Sequence, residues 1–190
     1  MCLLCLSWSA LPAATVELVA GGAEAGSGLP ATRAKLLEPF GTGFDAAGNL
    51  FIVEMVSGNR LLKIGADGVL VHVAGETASG DAGDGGPALA AKFNGPHNLA
   101  VLPDGDVLIG DTWNGRVRRV AVRAGKVTTW PGFNVPAARA RAAGPYCITL
   151  TPDGRELLIA DLRQVHAVET ATGKVRVLAG NGQKGVPADG

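Results

Sequence analysis

An all-β fold of repeated four-stranded meanders is predicted by three observations on this sequence. One strand pattern recurs three times, at spacings of 57 and 49 residues from Pro39 to Pro96 to Pro145. Short apolar runs are separated by glycine-bearing turns, and no useful length of 3.6-residue period occurs outside an apolar leader. Four-stranded meanders on such an interval are the signature of a β-propeller, in which each sheet is a blade packed against its neighbours around an axis.

In chain order, residues 1–14 read as a signal-like leader. Its apolar run from Cys2 to about Ala13 is followed by small residues, and it is too short to span a bilayer. The expected location is therefore secreted or periplasmic. The absence of a basic stretch ahead of the run leaves open a start further upstream. Cys2 and Cys5 lie inside this leader without the βαβ context of a redox motif.

Residues 15–190 are assigned to the propeller. "VELVAGG", from Val16, matches the closing strands of the later units, so Val16–Ala20 is expected to be the outer strand that closes a ring. Blades follow at about 36–75, 93–132 and 143–180. Their first three strands come from "EPFGTGFDAAGNLFIVEMVSGNRLLKI", "GPHNLAVLPDGDVLIGDTWNGRVRRV" and "GPYCITLTPDGRELLIADLRQVHAV". Their fourth strands are "VLVHVAG", "KVTTWPG" and "KVRVLAG". The turns "DAAGN", "PDGD" and "PDGR" are hairpin connections.

Composition agrees with a folded, turn-rich chain: 190 residues with 28 Gly and 11 Pro, 47% hydrophobic and 18% charged. Formal net charge is zero, which gives no electrostatic reason to expect nucleic acid as a partner. Arg116, Arg118 and Arg119 read as the solvated face of a strand. Cys147, between Tyr146 and Ile148, reads as a small buried hydrophobe.

The segment "AGDGGPALAAKFNGPHNLAVLPDGDVLIGDTWNGRVRRV" resembles the NHL repeat, whose bacterial members show a "GDGGPA" loop, "GNLYIAD" and "NRIRKV". "GNLFIVEMVSGNRLLKI" is similar, whereas in the third copy Leu162–Gln164 replace the Asn-x-Arg element. The resemblance implies a propeller, usually of six blades. Three four-stranded blades plus one closing strand make an incomplete ring, because a closed propeller needs at least four. A blade face left unpacked, on the order of 500 Å², forfeits roughly 12 kcal/mol of apolar burial. The missing blades are expected from a longer chain or from self-association.

In such a meander the start of the first strand and the turn after the second share one rim. His97, Asn98, Asp111, Asn114 and Arg116 therefore meet there. Phe40, Glu54, Asn59 and Arg60 hold matching places in the first blade, and Tyr146, Asp161 and Arg163 in the third. Rim loops on a rigid scaffold commonly carry function. The predicted ligand-contact residues are Phe40, His97, Asn98, Asp111, Asn114, Arg116 and Tyr146. Metal ligation would draw on Glu54, Asn98, Asp111 and Asp161. A structural reading competes with both: an acid ending each second strand can accept backbone N–H groups and pair with the following Arg.

The loop "GETASGDAGDGGPA" lacks the ending of a phosphate loop and the spacing of an EF-hand, and reads as a connection between blades. Trp113 and Trp130 are expected on strands or between blades. No G-x-S-x-G or Ser-His-Asp pattern is visible, and no catalytic residue is assigned. His72 and His166 fall on outer strands, away from His97.

The function favoured by the sequence is a non-catalytic binding or scaffold module that takes a protein or small-molecule ligand at the rim and central mouth, with no cofactor. The alternative is a metal-dependent hydrolase or lyase. "PHNL" resembles the "PHSL" of peptidyl-hydroxyglycine α-amidating lyases, which bind zinc through axial histidines, but Phe40 and Tyr146 stand at the positions matching His97. Resemblance to gluconolactonase-like propellers implies instead a divalent cation, calcium or zinc, held by Asn98 and an acid among Glu54, Asp111 and Asp161, with further ligands supplied by the other half of the ring.

Overall fold

The structure, a computed structural model, describes residues 15–185. The leader lies outside the described residues. Three antiparallel meanders follow one another. The first comprises β2 (Pro39–Phe44), β3 (Leu50–Glu54), β4 (Arg60–Ile64) and β5 (Val69–Ala74), with a two-residue strand β1 (Leu29–Pro30) added outside β5. The second holds β6 (Asn98–Val101), β7 (Val107–Asp111), β8 (Arg116–Ala121) and β9 (Lys126–Asn134). The third holds β10 (Cys147–Leu150), β11 (Glu156–Ala160), β12 (Val165–Glu169) and β13 (Val175–Ala179). These are blades of a β-propeller.

The period of two in each strand divides its side chains between two neighbours. Phe51 and Val53 of β3 meet Leu99, Val107 and Ile109 in the core between the first and second blades. Leu108, Val117 and Trp130 face the other way and meet Ile148, Leu157 and Ile159. Glycine permits the close approach of the innermost strands. A Cβ on Gly41 would sit 2.7 Å from Asn98 Cα, and one on Gly110 would sit 2.6 Å from the Pro145 carbonyl oxygen.

The hairpin turns form as their sequences require. Gly48, Gly105 and Gly154 hold the left-handed conformation, at φ of 80°, 86° and 68°. In the first turn the Asp45 carboxylate accepts the N–H groups of Ala47 and Asn49.

Three expectations are corrected. Val16–Ala20 forms no strand, because no other strand of the described chain lies beside it. The strand added near the N-terminus is β1, which pairs with the first blade's own outer strand through Leu29–Leu70 and Pro30–Val69. Arg118 is fully buried rather than solvated, because it alternates onto the face of β8 that carries Val120 toward the first blade, where the connection between the first two blades covers it through Asp84, Lys92 and Ala82. Cys147 is exposed, since Ile148 takes the inward position of β10 and its neighbours point away.

A short helix, α1 (Ala137–Ala143), also lies between β9 and β10. Its signals are local: Pro136 before it, an Ala-rich body, and Gly144 after it. No helix among the described residues is long and apolar enough to cross a membrane.

Candidate functional site

The matching positions at the start of the three first strands are Phe40, His97 and Tyr146, and the fold brings them together. Their rings meet edge-on, with centroids 5.1 Å apart for Phe40 and His97 and 4.8 Å for His97 and Tyr146. Trp113, in the 3-10 turn Thr112–Asn114, flanks His97 at 5.9 Å. The Arg141 guanidinium lies 4.2 Å from the centre of the Trp113 ring, and the Tyr146 hydroxyl donates to the Arg141 carbonyl at 2.7 Å. The α1 helix thereby buttresses the cluster from one side. Phe40 is 59% exposed, while His97 and Tyr146 are half-buried, so the cluster presents a partly open aromatic surface.

His97 Nδ1 lies 2.7 Å from the Gly95 carbonyl oxygen. This contact assigns the proton to Nδ1 and leaves Nε2 as an acceptor. Burial pulls the imidazole below the ordinary histidine value, against the opposing effect of the Gly95 carbonyl. His97 is thus a neutral ring near pH 7.

The carboxylates take a different part. Glu54 and Asp111 are fully buried. Glu54 accepts the Leu37 N–H and the Arg60 guanidinium. Asp111 accepts the Asn94 N–H at 2.8 Å and the Asn114 side-chain amide at 2.8 Å. Arg118 and Arg116 stand slightly farther off, at 3.7 and 3.9 Å. Burial outweighs these favourable contacts and pushes the Asp111 carboxyl up to about 6. In the third blade Asp161 accepts the Arg163 and Gln164 N–H groups and lies 3.1 Å from His166 Nε2.

The remaining predicted residues also join blades together. Asn98 Oδ1 faces the Ile148 N–H across the gap between β6 and β10, at 3.4 Å. Asn114 donates to the Gly80 carbonyl, and Arg116 pairs with Asp81 at 2.5 Å, so both hold the connection between the first two blades. Asn59 occupies the left-handed conformation at φ 47°. Its side chain donates to Thr77 and accepts the Gly95 N–H. The site residues thus divide into an aromatic group at the rim and polar links around it.

For the metal candidates, Glu54 and Asp111 are enclosed by their own donors, and no three His, Cys, Asp or Glu side chains are grouped to hold an ion among the described residues. His72 and His166 make separate contacts, with Gly75 and with Asp161. Trp130 packs between the second and third blades. Trp113 and Arg141 are the members of the cluster that sequence reasoning did not assign to it. The available signal was a tryptophan in the turn that shares the rim with His97.

A family model described as the NHL repeat matches residues 93–120. Over 118 residues the chain is 30% identical to human NHL repeat-containing protein 3, covering 60% of this chain and 30% of that protein. The mouse protein of the same name is 29% identical over 121 residues, covering 62% and 30%. The chain spans about 30% of the length of the curated relatives it matches. Among solved structures it is similar to virginiamycin B lyase from Staphylococcus aureus, at 20% identity and a TM-score of 0.53, covering 74% of this chain and 40% of that one. It is also similar to a gluconolactonase from Xanthomonas campestris, at 13% identity and a TM-score of 0.54, covering 77% and 48%. At these identities the structural likeness bears on the fold alone.

Proposed function

Taking as premise an NHL-repeat chain of β-propeller fold, we propose that it is a non-catalytic binding or scaffold module whose partner seats an apolar or aromatic side chain on Phe40, His97 and Tyr146. The observation that carries this reading is the convergence of the three equivalent first-strand positions into one partly exposed cluster. The neighbouring carboxylates are meanwhile withdrawn into backbone contacts. A neutral His97 suits the role, since an uncharged ring beside three aromatics is cheaply desolvated and still offers one acceptor nitrogen. The apolar run from Cys2 to Ala13 supports a secreted or periplasmic setting.

The test uses peptides selected from a random displayed library on the intact chain. Recovered peptides should bind Phe40→Ala and His97→Ala at least tenfold more weakly than wild type. Equal binding by both variants would refute the reading. So would one zinc or calcium ion per chain that is released by His97→Ala, which would favour a metal-dependent hydrolase.

A further inference from the structure

The connection that enters the second blade and the segment that enters the first are two copies of one wrap. Gly85 N donates to Val127 O and Ala88 N to Gly125 O in the second blade; Gly28 N donates to Leu70 O and Ala31 N to Gly68 O in the first. The same correspondence places Lys35 with Lys92, Arg60 with Arg116, Leu62 with Arg118, His72 with Thr129 and Ser27 with Asp84.

In the second blade the wrap brings its own carboxylates to these groups. Asp81 pairs with Arg116, Asp84 with Arg118 at 2.8 Å, and Glu76 with Lys92 at 3.7 Å. Asp84 also accepts the Thr129 hydroxyl. The wrap of the first blade is three residues shorter between its matching glycines, Gly21 to Gly28 against Gly75 to Gly85. It puts Gly22 and Ser27 where Glu76 and Asp84 stand, and its Glu24 pairs with Arg33.

The space thus vacated is a cavity of about 320 Å³ lined by Ala25, Gly26, Ser27, Lys35, Arg60 and Leu62, among others. Leu37 and Leu70 add to its apolar wall, and the His72 ring is fixed there by its contact with the Gly75 carbonyl. Arg60 is already paired with Glu54, whereas Lys35 forms no ion pair among the described residues. One cation is therefore left over beside an apolar wall, in a place where the sister repeat positions a carboxylate.

We propose that this cavity binds a small-molecule carboxylate with a short apolar body, its anionic end held by Lys35 and the outer edge of Arg60 in place of the missing Asp81. A preceding blade would not seal the site. In the second blade, which has such a neighbour, Asp81 and Asp84 remain 67% and 39% exposed. The site is separate from the aromatic cluster and does not depend on the role assigned to it.

The test titrates the chain with benzoate, followed by amide and Lys35 side-chain NMR shifts, with benzamide and inorganic phosphate as comparison probes. Benzoate should shift resonances of Ser27 and Lys35 and bind at least tenfold more tightly than benzamide. Lys35→Gln should weaken it at least fivefold, and Ser27→Asp, which supplies an internal carboxylate, should abolish it. Both substitutions are at exposed positions, and unchanged thermal melts would verify their folding. Asp81→Ala in the second blade should create a new benzoate response at Arg116. Equal binding of benzamide, tighter binding of phosphate, undiminished binding by Ser27→Asp, or no response of the wild-type chain would each overturn the proposal.

Discussion

Asp111 accepts the backbone N–H of Asn94 at 2.8 Å and so ties the end of a blade's second strand to the segment leading into its first. Glu54 makes the same link to Leu37, across the same separation of 17 residues. The acid that closes each of these second strands is a clasp of the repeat. Replacing either acid by alanine leaves a buried N–H without an acceptor; Glu54→Ala also leaves Arg60 without its partner, whereas Arg116 and Arg118 keep Asp81 and Asp84. In urea unfolding Glu54→Ala should lose about 3–5 kcal/mol of stability, and Asp111→Ala, which strands the Asn94 N–H and the Asn114 amide but no arginine, about 1–3 kcal/mol. Asp161→Ala, whose contacts are local, should lose about 1–3 kcal/mol.

Acid titration has a defined sign at this clasp. The folded chain holds the Asp111 proton up to about pH 6, whereas the ordinary aspartate value is 3.8. The unfolded chain therefore releases it first, and the contribution of this group to stability falls as pH rises from about 4 to about 6, by up to about 3 kcal/mol. The stability advantage of wild type over Asp111→Asn should be smaller at pH 7 than at pH 4. A carboxyl carbon titrating with a midpoint near the ordinary value would contradict this.

His97 titrates with the opposite consequence. Its folded value lies below 6.5, so the unfolded chain takes up the proton first, and stability from this group is present above that pH and declines as pH falls below it. Nitrogen NMR should find Nδ1 protonated and Nε2 bare at neutral pH, with a midpoint below that of a model imidazole.

The approach of the inner strands depends on the missing side chain of Gly41. Its Cβ would meet Asn98 Cα at 2.7 Å and the His97 carbonyl oxygen at 2.8 Å. Gly41→Ala should cost about 1–3 kcal/mol. Gly86→Ala, whose nearest contact would be 3.4 Å, should stay within about 0.5 kcal/mol of wild type. Equal effects at the two positions would show that the inner strands are not closely packed.

Cys147 points away from the second blade and is exposed. Ellman's reagent should therefore modify it in the native protein, and Cys147→Ser should lower the native thiol count by one. If that thiol reacted only in denaturant, the outward face of β10 would be covered.

Apolar side chains stand open on both outer blades, Phe44 at 68% and Val177 at 52% exposed. Such surface drives association. Sedimentation should show mass rising with concentration, and Phe44→Ser with Val177→Ser should shift the chain toward monomer.

The strands of the three blades were legible because each is a short alternating or wholly apolar run between glycine turns, a signal carried by adjacent residues. The pairing of Phe40, His97 and Tyr146 was legible only as a shared position in the repeat. The burial of Arg118 was not legible because the segment that covers its face of β8 comes from the connection some 26 to 36 residues earlier, which the strand's own sequence does not reveal. The same holds for Cys147, whose burial turns on which side of β10 faces the second blade.

By itself the sequence determined the repeat, the order of strands, the turns and the acid that ends each second strand, because these rest on local backbone preferences and on alternation along the chain. Only the tertiary structure decided which of those acids are sealed from water, that four rings meet at the rim, and that one wrap fills its cavity with carboxylates while its sister leaves it open. Those outcomes depend on distances between segments far apart in the chain, which are set by the packing of whole sheets.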